Sequence, residues 1–196
     1  MQQESQRRSN HARTEATRAA LIEAARALFV ERTYAETGTP QIVERAGVTR
    51  GALYHHFADK QALFSAVVEA ESEAVAREIA DATPEDLPAL DALMRGGDAF
   101  VAAMSEPGRT RLLLLDGPAV LGRKAMDEID ARHGGRTLRE GLAIGMRQGA
   151  IRRLPLDALA ALLSAMFDRA ALEIADGKDA AACSEVIDAI LEGLGK

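Results

Sequence analysis

The chain has 196 residues, a single cysteine and a formal net charge of −6, and it is 47% hydrophobic but only 4% aromatic. This length can bury a real core in one or two small domains. The lone Cys183 excludes an intramolecular disulfide framework. The longest strongly apolar run, residues 112–115, is too short to cross a bilayer. We therefore expect a cytoplasmic protein with no membrane partner.

The charge is unevenly distributed along the chain. Residues 1–60 hold nine Lys/Arg and seven Asp/Glu, a net charge of +2, whereas the remainder carries −8. Abundant Ala and Leu with few β-branched runs favour an all-α protein of about nine helices. The positive segment suits contact with nucleic acid, and its small excess indicates binding through a few placed contacts.

The first elements in chain order are a tail and a helix. Residues 1–12 are polar and predict a flexible tail. A helix over residues 14–32 follows, because its apolar side chains recur at helical spacing. These side chains are Leu21, Ile22, Ala25, Leu28 and Phe29.

Residues 37–57 predict two short helices joined by a tight turn. Thr39 is suited to cap the first helix, with Pro40 at its first position. Gly47 can adopt the positive φ that the turn needs, and Thr49 can cap the second helix. Together they form a helix-turn-helix, in which the second helix reads the DNA major groove.

The second helix of this motif divides its residues between solvent and core. The pattern exposes Arg50, Tyr54 and His55 and buries Leu53 and Phe57. The adjacent histidines His55 and His56 diverge by about 100° on a helix, so we expect no metal site there.

The run Thr-Arg-Gly-Ala-Leu-Tyr-His-His-Phe-Ala-Asp-Lys at 49–60, followed by Leu63 and Phe64, resembles the DNA-binding domain of TetR-family transcriptional repressors. Residues 17–29 are similar to that family's first helix, and the likeness covers about residues 14–74. Two positions differ from the usual pattern. Thr33 replaces a common Gly, which makes the helix end less favourable, and Gly38 replaces a common Ser or Thr.

The resemblance implies a sequence-specific DNA-binding regulator, specifically a repressor released from a palindromic operator by a small molecule. It also implies a homodimer. A ligand-independent regulator, an activator or a helical protein-interaction module remain alternatives. No phosphate loop, metal set or nucleophile elbow indicates an enzyme, so we expect no catalytic residue and no cofactor.

Seven residues are candidates for DNA contact. Arg50 can bond O6 and N7 of one guanine, although a phosphate contact alone is the alternative. Gly51 allows close approach of the backbone. Tyr54 and His55 resemble the family's phosphate-contacting pair, and Lys60 adds a charge for another phosphate. The remaining candidates, which bind phosphate or only cap helices, are Thr39 and Thr49.

Residues 13–58 thus form the predicted DNA-binding domain, and residues 59–82 a connecting helix that begins after Asp59. Thr83 and Pro84 predict the start of the next helix and of a ligand-binding and dimerisation domain over residues 83–196. Gly141, Gly145 and Gly149, at four-residue spacing, predict close approach of a neighbouring helix.

The last two predicted helices begin near Pro155 and Asp179 and carry regular apolar stripes. Two copies of this pair could form a four-helix bundle between subunits; alternatively, the stripes only close the core of one subunit. The interface candidates are Leu159, Leu163, Met166, Val186, Ile187, Ile190 and Leu191.

The helices between these regions would enclose the ligand pocket. Met and Phe side chains give an adaptable apolar lining, although each could equally be plain core. Arg169 could meet an acidic ligand group, pair with Glu173 or Asp168, or face the dimer partner. The pocket candidates are Met94, Phe100, Met104, Leu112, Met126, Ile129, Met146, Phe167 and Arg169.

Overall fold

The computed structural model describes residues 2–84 and 86–195, with side chains from residue 11 onward. These residues form ten α-helices and one π-helical segment, and the only β-type pairing among them is an isolated bridge between Ile151 and Gly195. The all-α prediction is confirmed, with one helix more than expected. The helices are α1 (Gln2–Glu31), α2 (Thr39–Ala46), α3 (Arg50–His56), α4 (Lys60–Ala82), α5 (Ala89–Met104), α6 (Gly117–Leu121), α7 (Arg123–Asp130), α8 (Gly134–Gln148), α9 (Leu156–Ala175) and α10 (Ala180–Glu192), and the π-helical segment is Arg111–Asp116.

The chain divides into two compact units, Met1–Glu69 and Ala70–Lys196. The boundary falls inside α4, whose limits agree with the connecting helix expected over residues 59–82. The first half of α4 therefore belongs to the N-terminal unit and the second half to the C-terminal unit.

Helix α1 begins much earlier than the sequence indicated. Its backbone is helical from Gln2, where we predicted a flexible tail over residues 1–12 and a helix from residue 14. No Gly or Pro interrupts residues 2–32, so a helix nucleated downstream can propagate toward the N-terminus, since adding a residue costs far less than nucleation.

The core of the N-terminal unit is built around three aromatic rings. Phe29 of α1 and Phe64 of α4 are fully buried, with ring centroids 5.2 Å apart in an edge-to-face arrangement. Tyr34 lies 5.7 Å from the first ring and 5.0 Å from the second. Such pairs contribute about 0.5–1.5 kcal/mol beyond their area burial. Ile42 and Leu53, fully buried as well, join α2 and α3 to this core.

The end of α1 is stabilised in a way that the sequence did not suggest. None of the described non-glycine residues has a positive φ, Thr33 included, so the missing glycine causes no strain. Instead the Thr33 hydroxyl donates to Glu36 Oε2 at 3.1 Å and accepts from the Glu36 N–H at 3.2 Å. The expectation of an unfavourable helix end at Thr33 is therefore wrong.

The helix-turn-helix has the predicted turn but a different first cap. Gly47 ends α2 with φ 65°, and Thr49 caps α3 by accepting from the Ala52 N–H at 3.2 Å. Thr39 is already helical, and Gly38 takes the N-cap position. The Gln41 side chain accepts from the Gly38 N–H at 2.9 Å, and the expected threonine cap does not form.

Four helices of the C-terminal unit, α5, α8, α9 and α10, surround a second core. Its fully buried members Leu142, Ile151 and Leu191 come from three different parts of this unit. Asp179 caps α10 by accepting from the Ala181 N–H at 3.0 Å, near the start that the sequence predicted. None of the helices among the described residues is both long and apolar enough to span a membrane.

Two expectations for this unit are wrong in detail. Helix α5 begins at Ala89 with Pro88 at its N-cap, not near Pro84, because the Thr83 hydroxyl donates to the Ile79 carbonyl at 2.8 Å and closes α4 instead. Of the three spaced glycines, Gly141 and Gly145 allow close approach of α5, since a Cβ would lie 3.4 Å from Leu93 Cδ2 at Gly141 and 3.3 Å from Ala89 Cβ at Gly145. Gly149 instead ends α8 with φ 77°.

Candidate DNA interface and ligand pocket

The exposed side of α3 carries the side chains that the sequence assigned to DNA. Arg50, Tyr54 and His55 are all exposed, whereas Leu53 and Phe57 are buried. The spacing of the helix therefore separates a polar surface from the anchors that fix it to the N-terminal unit.

Three of these residues form one polar cluster. The Arg50 guanidinium lies 5.5 Å from the centre of the Tyr54 ring. Hydrogen bonds from Thr39, and then from Arg50, to the phenolic oxygen lower the pKa of Tyr54. Residues of α2 and α3 are thus brought together, with donors positioned where a phosphate or a base edge could accept.

Gly51 and Thr49 complete the N-terminal end of this surface. Both are exposed. A Cβ at Gly51 would touch only Thr49 Oγ1, at 3.9 Å, so the fold itself does not require a glycine here. A glycine here would still let the backbone of α3 approach another molecule closely.

Lys60 is held inside the N-terminal unit rather than extended into solvent. Its ammonium donates to the Tyr34 carbonyl at 2.9 Å and the Thr37 carbonyl at 3.0 Å. It also lies 4.0 Å from the centre of the Tyr34 ring. No pattern in the sequence indicated this internal role. The phosphate contact of Lys60 stays a prediction.

His55 and His56 form a T-shaped pair with ring centroids 5.3 Å apart. Across the described residues, no group of three or more His, Cys, Asp or Glu side chains is placed to hold a metal ion.

The C-terminal unit contains an open pocket of about 630 Å³ between α4, α5, α7, α8 and α9. This volume lies within the range of about 300–1,000 Å³ that is common for small-molecule sites. Most of the lining is apolar or glycine. The lining includes the apolar side chains Ile79, Leu93, Phe100, Leu138, Ile144 and Phe167 and the polar side chains Asp130, Thr137, Glu140, Ser164 and Asp168.

Only two of the nine predicted pocket residues line this pocket, Phe100 and Phe167, whose ring centroids are 5.8 Å apart. Gly97 gives the Phe167 ring its position, because a Cβ there would lie 2.8 Å from Phe167 Cε1. A larger residue at position 97 would push the ring out of place.

The other predicted pocket residues lie elsewhere in this unit. Met94 and Met146 pack against the C-terminal core. Leu112, Ile129 and Met104 are buried, and Met104 borders a separate cleft of about 300 Å³. Met126 lies against Gly117. Their helical spacing reflected plain core packing, the alternative that sequence patterns cannot separate from a pocket lining.

Arg169 also lies outside the pocket. It is exposed and forms an ion pair with Glu173, one turn further along α9. Of the alternatives for Arg169, the structure therefore shows pairing with Glu173.

Three carboxylates in the pocket wall were not predicted: Asp130, Asp168 and Glu140. Asp130 ends α7, is exposed, and accepts from the Gly135 N–H at 3.0 Å and the Ser164 hydroxyl at 3.5 Å. Loss of hydration raises the pKa of Asp130, although these hydrogen bonds oppose the rise. Asp168 on α9 is half-buried; burial and then the nearby Asp130 raise the pKa of Asp168 to about 6.

The predicted interface residues on α9 and α10 divide into two groups. Leu163, Ile187 and Leu191 are buried in the core of the same subunit, because each faces neighbouring helices of its own unit. Leu159 and Met166 are partly buried against that core. Val186 and Ile190 are 59% and 44% exposed, and Leu162, absent from the predicted set, is 71% exposed.

Two family models match the chain. The model described as bacterial regulatory proteins, tetR family, matches residues 21–67, and that described as tetracyclin repressor-like, C-terminal domain, matches residues 90–194. Together they cover both units. The chain belongs to the TetR family.

Individual TetR-family proteins support this assignment to different extents. A solved TetR-family transcriptional regulator from Pectobacterium atrosepticum is 34% identical, with a TM-score of 0.69, and the match covers 94% of this chain and 96% of that one. The A-factor receptor protein of Streptomyces griseus is 32% identical over 53% of this chain and 35% of its own length. The regulator TtgR of Pseudomonas putida is 49% identical over 27% of this chain and 25% of its own length. This chain thus matches only about a quarter to a third of these two curated relatives.

TetR-family proteins are DNA-binding transcriptional regulators rather than a family of enzymes. The sequence patterns missed Arg109, a buried arginine in the C-terminal unit of this TetR-family chain. Arg109 donates to Glu71 at 3.0 Å, to Glu78 at 3.2 Å and to the Ala103 carbonyl at 2.6 Å. The two carboxylates lie seven residues apart on α4, a spacing that is visible in the sequence. Their arginine partner is more than 30 residues away, so the sequence alone does not reveal the pairing.

Proposed function

We propose that this chain is a homodimeric repressor that binds a palindromic operator through α3 and is released by a small molecule in the 630 Å³ pocket. The observation that carries the DNA-binding part is the cluster of exposed Arg50 and Tyr54 with half-buried Thr39 at the helix-turn-helix. Family membership supports the same conclusion.

Arg50 is the proposed base reader. Its guanidinium can donate two hydrogen bonds to one guanine, which is worth about 1–3 kcal/mol of discrimination. Tyr54, His55, Thr39, Thr49 and Lys60 would contact phosphates, and Gly51 would let the backbone approach. With a net charge of only +2 over residues 1–60, general attraction to DNA is weak and these placed contacts carry the specificity.

Dimerisation would supply the second half-site. Two copies of α3 about 34–36 Å apart fit successive major grooves on one face of DNA. The exposed apolar side chains of α9 and α10, Leu162, Val186 and Ile190, favour these helices as the contact between subunits. Large exposed apolar groups on paired helices are typical of such interfaces.

The pocket supports the ligand-responsive part of the proposal. Its volume and mostly apolar lining suit a small organic molecule. One curated relative is named a receptor for A-factor. A ligand shifts the balance between DNA-bound and free protein only by its different affinity for the two states.

Selection of bound sequences from a random duplex pool at near-physiological salt tests the proposed sequence-specific binding to DNA. We expect a palindrome with half-sites about one helical turn apart. Arg50→Ala should weaken binding to it by about 1–3 kcal/mol, whereas Arg136→Ala, on the exposed side of α8, removes the same charge and should change nothing. Enrichment of no sequence, with a known repressor succeeding in parallel, would favour the protein-interaction module.

Sedimentation velocity tests the dimer. Leu162→Glu places a charge at the proposed interface and should shift the protein to monomers. Leu115→Glu is the matched control, since Leu115 is 53% exposed but lies outside α9 and α10. A wild-type protein that sediments as a monomer at micromolar concentration contradicts this part of the proposal.

A further inference from the structure

The charged side chains among the described lining residues of the 630 Å³ pocket are all negative. Among its described lining residues, Asp130, Asp168 and Glu140 are acidic, and none is Lys, Arg or His. An acidic ligand would therefore enter an apolar pocket with no cation to receive it, which is strongly unfavourable.

Asp168 on α9 is a half-buried carboxylate in the pocket wall. Within the described residues no hydrogen bond to it forms, and its electrostatic neighbours are Asp130, which opposes its ionisation, and Arg123, which favours it. Arg123 is itself 84% exposed and lies 3.9 Å from Asp127. Asp168 thus faces the pocket with hydrogen-bonding capacity that a ligand could use.

Asp130 adds a second acceptor near the first, because it accepts from Ser164, which lies one helical turn before Asp168 on α9. The Gly135 N–H and the Ser164 hydroxyl orient its carboxylate, so it is fixed in position rather than free to turn away. Two carboxylates that repel each other are both stabilised by a cation placed between them. A charge-assisted hydrogen bond from an ammonium group is about twice as strong as a neutral one.

The apolar part of the pocket lies beside these carboxylates. Phe167 is the immediate neighbour of Asp168 in α9, and its ring packs 5.8 Å from that of Phe100. Leu93, Ile79 and Leu138 extend the apolar surface. A ligand that fits must therefore join an aromatic or aliphatic body to a positive group.

We infer that the pocket binds an apolar organic molecule with a protonated amine, whose ammonium group lies between the Asp130 and Asp168 carboxylates. The inference rests on the proposed function only in taking this pocket as the inducer site. It names the class of inducer: a lipophilic organic cation, not a carboxylate, a neutral phenol or a metal ion.

Three probes of one shape test this inference: 4-phenylbenzylamine, 4-phenylbenzyl alcohol and 4-phenylbenzoate, titrated by calorimetry into the full-length protein at pH 7.5. We expect the ammonium to bind about tenfold or more tightly than the alcohol, a difference of about 1.4 kcal/mol, and the carboxylate most weakly. Equal affinity for ammonium and alcohol, tighter binding of the carboxylate, or no binding of any probe would overturn the inference.

Variants separate the carboxylates from general effects. Asp168→Asn and, independently, Asp130→Asn should remove the preference for ammonium over alcohol while leaving alcohol binding intact, which also shows that the variants are folded. Asp157→Asn is the control, because it makes the same charge change on α9 at an exposed position paired with Arg139. A preference that survives in both pocket variants would contradict the inference.

Affinity for the ammonium should also fall by about tenfold between pH 7.5 and pH 5, because Asp168, with a pKa of about 6, becomes protonated. The amine stays charged over this range. His133 acts electrostatically on Asp130, so His133→Gln must keep the pH dependence and Asp168→Asn must lose it. The opposite pattern would assign the effect to His133.

The same titrations with operator present distinguish this inference from the proposed function. Preferential ammonium binding without release of DNA supports the ligand class and contradicts induction. Tight operator binding with no preference for the ammonium supports the repressor and overturns the ligand class.

Discussion

The two units of this chain differ in how completely side chains fill their interiors. The N-terminal unit fills its centre with fully buried large side chains, among them Phe29, Phe64 and Leu53. The C-terminal unit leaves about 630 Å³ open beside Phe100 and Phe167. A surface that must present Arg50 and Tyr54 in one geometry needs a rigid support, whereas a ligand site needs unfilled space, and close packing provides the first at the expense of the second.

The largest expected effect contrasts one phenylalanine from each unit. Phe64→Ala should cost about 3–5 kcal/mol of unfolding free energy, because its ring is fully buried among two other aromatic rings. Phe100→Ala should cost less than half as much, because its ring is half-buried and lines an open pocket. Urea unfolding followed by circular dichroism measures both. Equal losses would show that the two units are packed alike.

The second prediction tests whether the C-terminal unit is tightly packed outside its pocket, at Arg109. Arg109→Met leaves the buried Glu71 carboxylate without the guanidinium that it contacts at 3.0 Å, and should cost about 3 kcal/mol. Adding Glu71→Leu to this variant should recover most of the loss in the same urea measurement. A double variant no more stable than Arg109→Met would mean that Arg109 acts mainly through Glu78 and the Ala103 carbonyl.

The third prediction compares neighbouring glycines of α5. Gly97→Ala should destabilise the protein by about 1–3 kcal/mol relative to Gly96→Ala, because its Cβ would lie 2.8 Å from the buried Phe167 ring. At Gly96 the nearest atom is Ile79 Cγ2 at 3.7 Å, an ordinary contact. Both variants gain the same helix propensity. The difference between their free energies of unfolding therefore measures the steric conflict between the new Cβ and the Phe167 ring. Equal stability would show that Phe167 can move freely into the pocket.

The smallest expected effect concerns Lys60 in the N-terminal unit. Lys60→Met removes two hydrogen bonds, to the Tyr34 and Thr37 carbonyls, and should cost about 1–2 kcal/mol in urea unfolding. Lys124→Met, at a 93% exposed position, should cost nothing measurable. If Lys60 also contacts phosphate, its variant lowers the salt dependence of DNA binding by about one counterion; an unchanged slope leaves only the internal role.

The sequence predicted the N-terminal unit well because its signals are local. Gly47 at the turn and Thr49 at the cap act on residues next to them, and the alternation of Arg50, Leu53 and Tyr54 reports directly which side of α3 is buried. Thr39 was misplaced by one position: Gly38 takes the N-cap, and Gln41 accepts from the Gly38 N–H. Gln and Thr at these positions are both compatible with a helix start, so local rules alone do not choose between them.

The pocket could not be predicted in this way. Met94 and Met146 share the helical spacing of Phe100, yet they belong to the core and Phe100 to the pocket. Which apolar residue lines a space depends on where neighbouring helices leave a gap, and here glycines such as Gly97 help to set that gap. Asp130 and Asp168 are separated by 38 positions, and periodicity within one helix carries no information about their proximity.

Arg109 has a mechanical consequence for α4. Glu71 and Glu78 are seven residues apart, which places them about 10.5 Å apart along the axis on nearly the same side of the helix. A single guanidinium that holds both of them opposes rotation of α4 about its axis and sliding along it, since either movement breaks at least one ion pair. Because a tilt of this half of α4 about Arg109 keeps both ion pairs, we expect it to be the movement that costs least.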